Sequence, residues 1–170
     1  VAFGLHPLTL GATATACSAH KTLPVLTGAA WLNCRTDDRF RMKRKIKESM
    51  ALFGSTSPSY LTMASLDAAR AWMEKDGIPA FRGLADTVAE LRRIAVESGF
   101  SVPPGECDPV RLTLLTGGAI SGHLAADYFR KRGAECEHSD PGAVIFLLTP
   151  FNTPKEIALL RKAIEDFPAE

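Results

Sequence analysis

Three residues near the start of the chain could do chemistry together: Ser18, His20 and Lys21. Lys21 follows a run of small residues, 11–17, and precedes an apolar stretch, 25–31. Such a setting can withdraw water from a lysine amine and lower its pKa, which makes the amine a nucleophile toward carbonyl groups. The alternative is a lysine that extends its charged head into water at the end of a strand. The residue types alone allow both.

Two other kinds of site share these residues. Cys17 and His20 have the spacing of two metal ligands, but no second pair accompanies them, so we predict no metal site. Ser18 and Lys21 also form an S-x-x-K pair, as in the penicillin-interacting serine acylases. Those enzymes additionally need S-D-N and K-T-G elements, which this sequence lacks.

The composition excludes several classes of protein. A chain of 170 residues suits one domain, or a small domain plus part of another. A net charge of +1 argues against a nucleic-acid binder, and no apolar run is long enough to span a membrane. We find no signal-peptide pattern. Four cysteines without a C-x-x-C pair indicate free buried thiols in a reducing compartment, so we predict a cytoplasmic location.

The basic cluster at 39–47 is flanked by Asp37, Asp38 and Glu48, which favours a solvated helix face over a nucleic-acid patch. The glycine-rich segment 117–122 fits neither common phosphate-loop pattern, so we interpret it as a strand-to-helix turn with Ser121 as cap. His123 and His138 have no nucleophile near them in the sequence, and we interpret both as surface or structural histidines.

Periodicity and turn residues predict the elements that must position these residues. We expect a strand, the lysine turn and a buried strand near 28–32, and then a helix through the basic cluster. A second helix begins near 61 and ends before Gly77, and a third is opened by Ile78 and Pro79 and ended by Gly99. Further elements are predicted at 110–115 (strand), 121–131 (helix), 134–138 (strand), 143–148 (buried strand) and 153–167 (helix).

The cofactor-lysine motif of the Orn/Lys/Arg decarboxylase family resembles residues 18–27, SAHKTLPVLT. The family's next block is similar to 55–60, STSPSY, and to 63–70, MASLDAAR. Its C-terminal blocks look like 108–113, 128–133 and 147–150, so the resemblance covers nearly the whole chain. It implies an α/β fold: the end of a fold-type I aminotransferase-like large domain (1–77), followed by a small α/β C-terminal domain (78–170).

The resemblance also implies a function, the decarboxylation of arginine, lysine or ornithine with pyridoxal 5'-phosphate. Lys21 would form the internal aldimine with this cofactor. Ser18 and His20 would contact its phosphate, and His20 would also help to move protons. Thr56 and Ser57 would approach the cofactor site of the partner subunit in a homodimer or higher homo-oligomer.

Three family elements are expected upstream of the lysine: the aspartate at the pyridine nitrogen, the ring-stacking residue and the glycine-rich phosphate turn. Only twenty residues precede Lys21 and the chain begins with Val1, so we predict a C-terminal portion that does not decarboxylate by itself. Two alternatives stay open. The chain could be a non-catalytic α/β module, or it could belong to another fold-type I enzyme, an aminotransferase or a carbon–carbon lyase.

Overall fold

The structure, a computed structural model, describes residues 3, 6–35, 42–118 and 120–168. It divides into two compact units, one that ends at Ile78 and one that begins at Pro79. In chain order the elements are β1 (Ala14–Ser18), a 3₁₀ turn (Ala19–Lys21), β2 (Ala30–Cys34), α1 (Met42–Phe53), α2 (Tyr60–Trp72), a π-helical turn (Met73–Gly77), α3 (Ile78–Glu97), β3 (Arg111–Leu115), α4 (Gly122–Lys131), β4 (His138–Asp140), β5 (Ala143–Leu147) and α5 (Pro154–Glu165). Helices and sheets are mixed along the chain, which confirms the predicted α/β class.

The first unit is built on an antiparallel hairpin of β1 and β2, in which Cys17 lies opposite Trp31 and Ser18 opposite Ala30. A buried strand was expected near 28–32. A strand is present, because β2 covers Ala30–Cys34, but the predicted burial was wrong. Gly28 has a φ of 87° and lies in the turn before β2, and Leu32 within β2 is 46% exposed. A two-stranded hairpin exposes two faces and two edges unless other elements pack against them. The described residues of the first unit leave one side of β2 exposed to solvent.

The helices of the first unit bury little. The described part of the basic cluster lies on α1, where Arg44 pairs with Glu48 (3.5 Å), whereas Arg39 and Arg41 lie outside the described residues. No residue of α1 is buried, and Phe53 at its end is 90% exposed. Ala69 is the buried residue of α2. The solvated face predicted for this cluster is therefore found, but Met50, Leu52 and Phe53 of α1 are exposed as well.

The helical path does not stop at Gly77, contrary to the sequence prediction. The chain passes from α2 through the π-helical turn directly into α3. A wider turn suits this place, because Pro79 has no N–H to donate to the preceding turn. Gly77 is buried, and a Cβ built on it would lie 2.6 Å from Sδ of Met73, so the glycine is used here for close packing.

The second unit has a continuous core. Its three-stranded antiparallel sheet has the order β3-β5-β4, with Thr113 opposite Ile145 and Ser139 opposite Val144. The sheet and helices α3, α4 and α5 contribute the fully or almost fully buried side chains, which are Val88, Leu91, Leu112, Leu114, Phe129, Val144 and Ile164. The ring of Phe129 lies 5.1 Å from that of Phe146 and 5.7 Å from that of Phe167, and burial of such side chains is the main driving force for folding.

Local signals place the helix ends of this unit as predicted. Gly99 has a φ of 93°, and the N–H of Phe100 donates to the C=O of Ala95 (2.9 Å), which ends α3 in a Schellman motif. The Ser121 hydroxyl caps α4 by accepting the N–H of His123 (3.3 Å). At α5, Thr153 and Glu156 form a reciprocal capping box, and the hydrogen bonds from Thr153 lower the pKa of the Glu156 carboxyl.

The short strand predicted at 134–138 is wrong over most of its length, because β4 begins only at His138. The residues before it end α4 instead. The N–H of Gly133 donates to the C=O of Arg130 and that of Ala134 to the C=O of Phe129 (2.9 and 3.0 Å), so the backbone at 133–134 serves the helix end. Pairing with β5 begins at Glu137, whose N–H donates to the C=O of Ile145 (2.9 Å). Of the helices in the described ranges, none combines the length and apolar character that crossing a bilayer requires.

The start of α4 lies directly against the β4–β5 turn. The N–H of Gly122 donates to the C=O of Pro141 (3.1 Å), and a Cβ built on Gly122 would overlap the backbone oxygens of Asp140 and Ala143. Backbone atoms cannot swing aside as a side chain can. The glycine at this end of segment 117–122 therefore allows two backbones to approach each other.

We expect Gly122→Ala to destabilise the second unit by about 1–3 kcal/mol or more, because α4 and the β4–β5 turn must separate to admit the methyl group. Urea denaturation followed by circular dichroism measures this loss. The matched control is Gly83→Ala within α3, where nothing lies within 4 Å of the added Cβ. There we expect a gain of about 0.5–1 kcal/mol from helix propensity. Equal effects of the two substitutions would contradict the packing argument.

Candidate functional site

The backbone of the lysine turn is closed by one carbonyl group. Ser18 ends β1, and the N–H groups of Ala19 and His20 both donate to the C=O of Ala29 (3.0 and 3.3 Å). The turn then closes on itself, because the N–H of Leu23 donates to the C=O of Ala19 (3.0 Å). The backbone that carries Ser18, His20 and Lys21 is thus fixed by the opposite arm of the hairpin.

Small residues make this closure possible. Ala19 is 3% exposed and Ala29 is 2% exposed, so the two alanines are the buried centre of the turn. A larger side chain at either position would push the two arms of the hairpin apart. The Gly/Ala/Thr-rich composition that first drew attention to Lys21 therefore serves the turn geometry.

The polar side chains differ in their exposure. Ser18 and Lys21 are exposed, and His20 is half-buried. Of the two settings that the residue types allowed for Lys21, withdrawal from water by the apolar residues 25–31 is not observed in this structure. Leu26, Thr27 and Gly28 are themselves exposed, and the positive φ of Gly28 turns the segment into β2. The exposure of Lys21 agrees with the alternative, a lysine exposed at the end of a strand.

A hydrogen bond that the sequence did not predict ties the segment after Lys21 to α2. The Ser65 hydroxyl accepts the N–H of Leu26 (3.2 Å) and donates to the C=O of Thr62 (2.8 Å). The only signal in the sequence is a hydroxyl side chain in the second turn of α2, which is too common to identify such a link. Ser65 positions the loop that follows the lysine.

Thr56 and Ser57 lie in the exposed loop between α1 and α2. The N–H of Ser57 donates to the Ser55 hydroxyl (3.1 Å), and Ser59 caps α2 by accepting the N–H of Thr62 (3.3 Å). The link between the lysine turn and α2 passes through Ser65 and involves neither Thr56 nor Ser57. Their approach to a cofactor across a subunit interface stays a prediction.

Groups that could hold a metal ion were sought among the described residues, and no cluster of three or more His, Cys, Asp and Glu side chains occurs there. The Cys17 thiol lies 3.8 Å from Nδ2 of Asn33 on the neighbouring strand. In the second unit, Nδ1 of His123 lies 3.1 Å from the Ser139 hydroxyl, a contact that joins α4 to β4.

Residues 10–97 match the family model described as Orn/Lys/Arg decarboxylase, major domain. The chain belongs to the Orn/Lys/Arg decarboxylase family. The match contains the lysine turn, α1, α2 and all of α3, so it extends beyond Ile78 into the second unit. The predicted assignment of 1–77 to a large domain and of 78–170 to a small one stays a prediction.

The curated proteins that are similar to this chain are longer than the chain itself. An arginine decarboxylase of Halalkalibacterium halodurans is 28% identical to this chain, over 97% of the chain and 36% of that protein. The uncharacterized protein YaaO of Bacillus subtilis is also 28% identical, over 86% of the chain and 32% of that protein. The chain therefore spans about a third of the length of these relatives.

Solved structures show the same fold. The lysine decarboxylase of Francisella novicida superposes on 88% of this chain with a TM-score of 0.75 and 20% identity. The constitutive lysine decarboxylase of E. coli superposes on 89% of it with a TM-score of 0.66 and 22% identity. The chain covers 27% of each of these proteins. The superpositions confirm the predicted fold as part of a lysine-decarboxylase-like architecture.

Ser65→Ala tests whether the link to α2 holds the segment after Lys21. We expect hydrogen exchange at the Leu26 amide to become roughly two- to tenfold faster, because one hydrogen bond contributes about 0.5–1.5 kcal/mol. Exchange is measured by NMR. The control is Ser49→Ala on the exposed face of α1, which should leave the Leu26 amide unchanged. Unchanged exchange in Ser65→Ala would show that the hairpin alone fixes this loop.

Proposed function

We propose that the chain is part of a pyridoxal 5'-phosphate-dependent decarboxylase of a basic amino acid, arginine, lysine or ornithine. The observation that carries the proposal is the placement of Lys21 beside Ser18 and His20 on a hydrogen-bonded turn, in a chain of the Orn/Lys/Arg decarboxylase family. The name of the arginine decarboxylase relative supports a basic substrate.

The side chains of the turn fit the groups that this cofactor presents. A primary amine such as that of Lys21 reacts with an aldehyde, and hydroxyl and imidazole groups such as those of Ser18 and His20 donate hydrogen bonds to a phosphate. Ser18 and Lys21 are exposed, so a ligand can reach both. The donor set therefore suits a phosphorylated aldehyde.

When bound, the cofactor supplies an acceptor for the electron pair that a departing carboxylate leaves on the substrate. The residues of this chain hold and orient the reactants. Lys21 would hold the aldehyde carbon until a substrate amine replaces its Nζ. Ser18 would hold the phosphate oxygens. His20, half-buried at the turn, would donate a hydrogen bond to the phosphate and hold a proton near the reacting atoms.

We also propose that the whole protein is a homodimer or a larger homo-oligomer in which Thr56 and Ser57 face the cofactor of the partner subunit. The two hydroxyl side chains lie in an exposed loop, where they are accessible to another molecule. The support for this part of the proposal is the resemblance of 55–60 to the family block.

Covalent trapping tests the role of Lys21. The 170-residue chain is mixed with less than one equivalent of pyridoxal 5'-phosphate, reduced with borohydride, digested, and analysed by mass spectrometry. We expect the label on Lys21 to exceed that on any other lysine at least several-fold, because Ser18 and His20 add phosphate contacts that an ordinary surface lysine lacks. Ser18→Ala should reduce the preference.

Lys47→Ala is the matched control, since it removes another exposed lysine of the same unit and should leave the labelling of Lys21 unchanged. Equal labelling of Lys21 and the lysines of α1 would refute the phosphate contacts proposed for Ser18 and His20 in this chain and favour a non-catalytic module. In the parent protein, product analysis on arginine, lysine and ornithine separates the reactions. An amine with carbon dioxide indicates decarboxylation, whereas a keto acid indicates transamination.

A further inference from the structure

A groove on the second unit, far along the chain from the lysine turn, has the composition of an anion site. It lies between the end of α4 and the outer face of α5 and has a volume of about 470 Å³. Its floor is apolar and includes Leu159 and Ala163, and its rim carries Arg132, Lys155 and Lys162. A volume of this size is in the range of small-molecule sites.

The helix geometry makes the cations converge. Lys155 precedes Leu159 by four residues and Lys162 follows it by three, so both lie on the same face of α5, one on each side of Leu159. The end of α4 lies opposite, since a Cβ built on Gly133 would be 3.4 Å from Cδ1 of Leu159. Arg132, the preceding residue, therefore closes the third side.

These cations lack the acidic partners that Arg130 and Arg161 of the same unit have. Arg130 pairs with Asp127 and Glu135, and Arg161 pairs with Glu90 (2.8 Å). In the part of the chain that the structure describes, Arg132, Lys155 and Lys162 form no ion pair. Three unpaired cations around an apolar floor attract an anion that has an apolar body.

Arg132 is held in place before any ligand arrives. Its guanidinium carbon lies 3.6 Å from the ring centroid of Tyr128, and its Nη1 donates to the C=O of Tyr128 (3.4 Å). The Tyr128 hydroxyl in turn donates to the C=O of Asp166 at the end of α5 (2.7 Å). A guanidinium fixed in this way loses little freedom on binding.

We propose that this groove binds a phosphate monoester of a small organic molecule. The phosphate lies between Arg132 and the two lysines, and the apolar part of the ligand covers Leu159. One carboxylate, that of Asp166, also lines the groove four residues after Lys162, so the lining carries three cations and one anion. The site does not depend on the proposed role of Lys21.

Phenyl phosphate is the probe, and binding to the 170-residue chain is followed by NMR through the amides of Arg132 and α5. We expect saturable shifts at these amides, with phenyl phosphate binding at least several-fold more tightly than inorganic phosphate or phenol. The double variant Arg132→Gln/Lys162→Gln should weaken binding at least tenfold, since it removes two of the three charged donors. Circular dichroism confirms that the variant is folded.

Lys131→Gln is the matched control, because it removes the same charge next to Arg132 in the sequence and does not line the groove. It should bind phenyl phosphate as the unmodified chain does. If Lys131→Gln weakens the binding of phenyl phosphate as much as Arg132→Gln or Lys162→Gln alone does, the proposal is overturned, because general charge attraction would then explain the binding. Equal affinity for inorganic phosphate would mean an adventitious ion only, and the absence of shifts at α5 would also refute the site.

Discussion

The C=O of Ala29 accepts two N–H groups, those of Ala19 and His20, and the candidate site depends on this pair of hydrogen bonds. The carbonyl belongs to one arm of the β1–β2 hairpin and both donors belong to the other. Because the residues at the junction are buried alanines, the two backbones approach each other without a side chain between them. Every side chain proposed to touch a cofactor through this turn is oriented by that junction.

The two units are stabilised by different kinds of interaction. The second unit buries side chains from its sheet and three helices, so its elements are held by apolar contacts. In the described part of the first unit, the buried residues are Ala19, Ala29, Ala69 and Gly77, which bury very little apolar area. That unit depends on directed hydrogen bonds, such as the one from Leu26 to Ser65. Each such bond contributes only about 0.5–1.5 kcal/mol net, so the position of the lysine turn is sensitive to single substitutions.

Features decided by a few neighbouring residues could be predicted from the sequence. The Schellman end at Gly99, the Ser121 cap and the Thr153–Glu156 box are local hydrogen-bond patterns, and the structure has all three. The family and its fold could also be predicted, because the motifs around Lys21 and Ser57 are specific.

The sequence predictions that proved wrong have other causes. Gly77 usually signals a helix end, but here it is buried beside Met73, so packing overrides the local preference. Residues 134–137 resemble a strand, but the N–H of Ala134 is used at the end of α4, and pairing with β5 begins only at Glu137. The exposure of Lys21 depends on which other groups pack against residues 25–31. The sequence of that stretch alone does not determine those groups. The first two outcomes are set by neighbours within five residues, whose packing and hydrogen bonds compete with the local preference, and the third is set by groups distant in the sequence.

The exposure of Lys21 constrains what an active form must contain. A lysine amine becomes nucleophilic when water is excluded around it, and the segment that follows Lys21 is too exposed to exclude water. Phe53, Tyr60 and Leu61 in the same unit are exposed by 90%, 83% and 74%, so their apolar surface also faces water. If the proposed function is correct, groups outside the described residues must withdraw Lys21 from water. The cofactor role thus requires the exposed lysine to become buried.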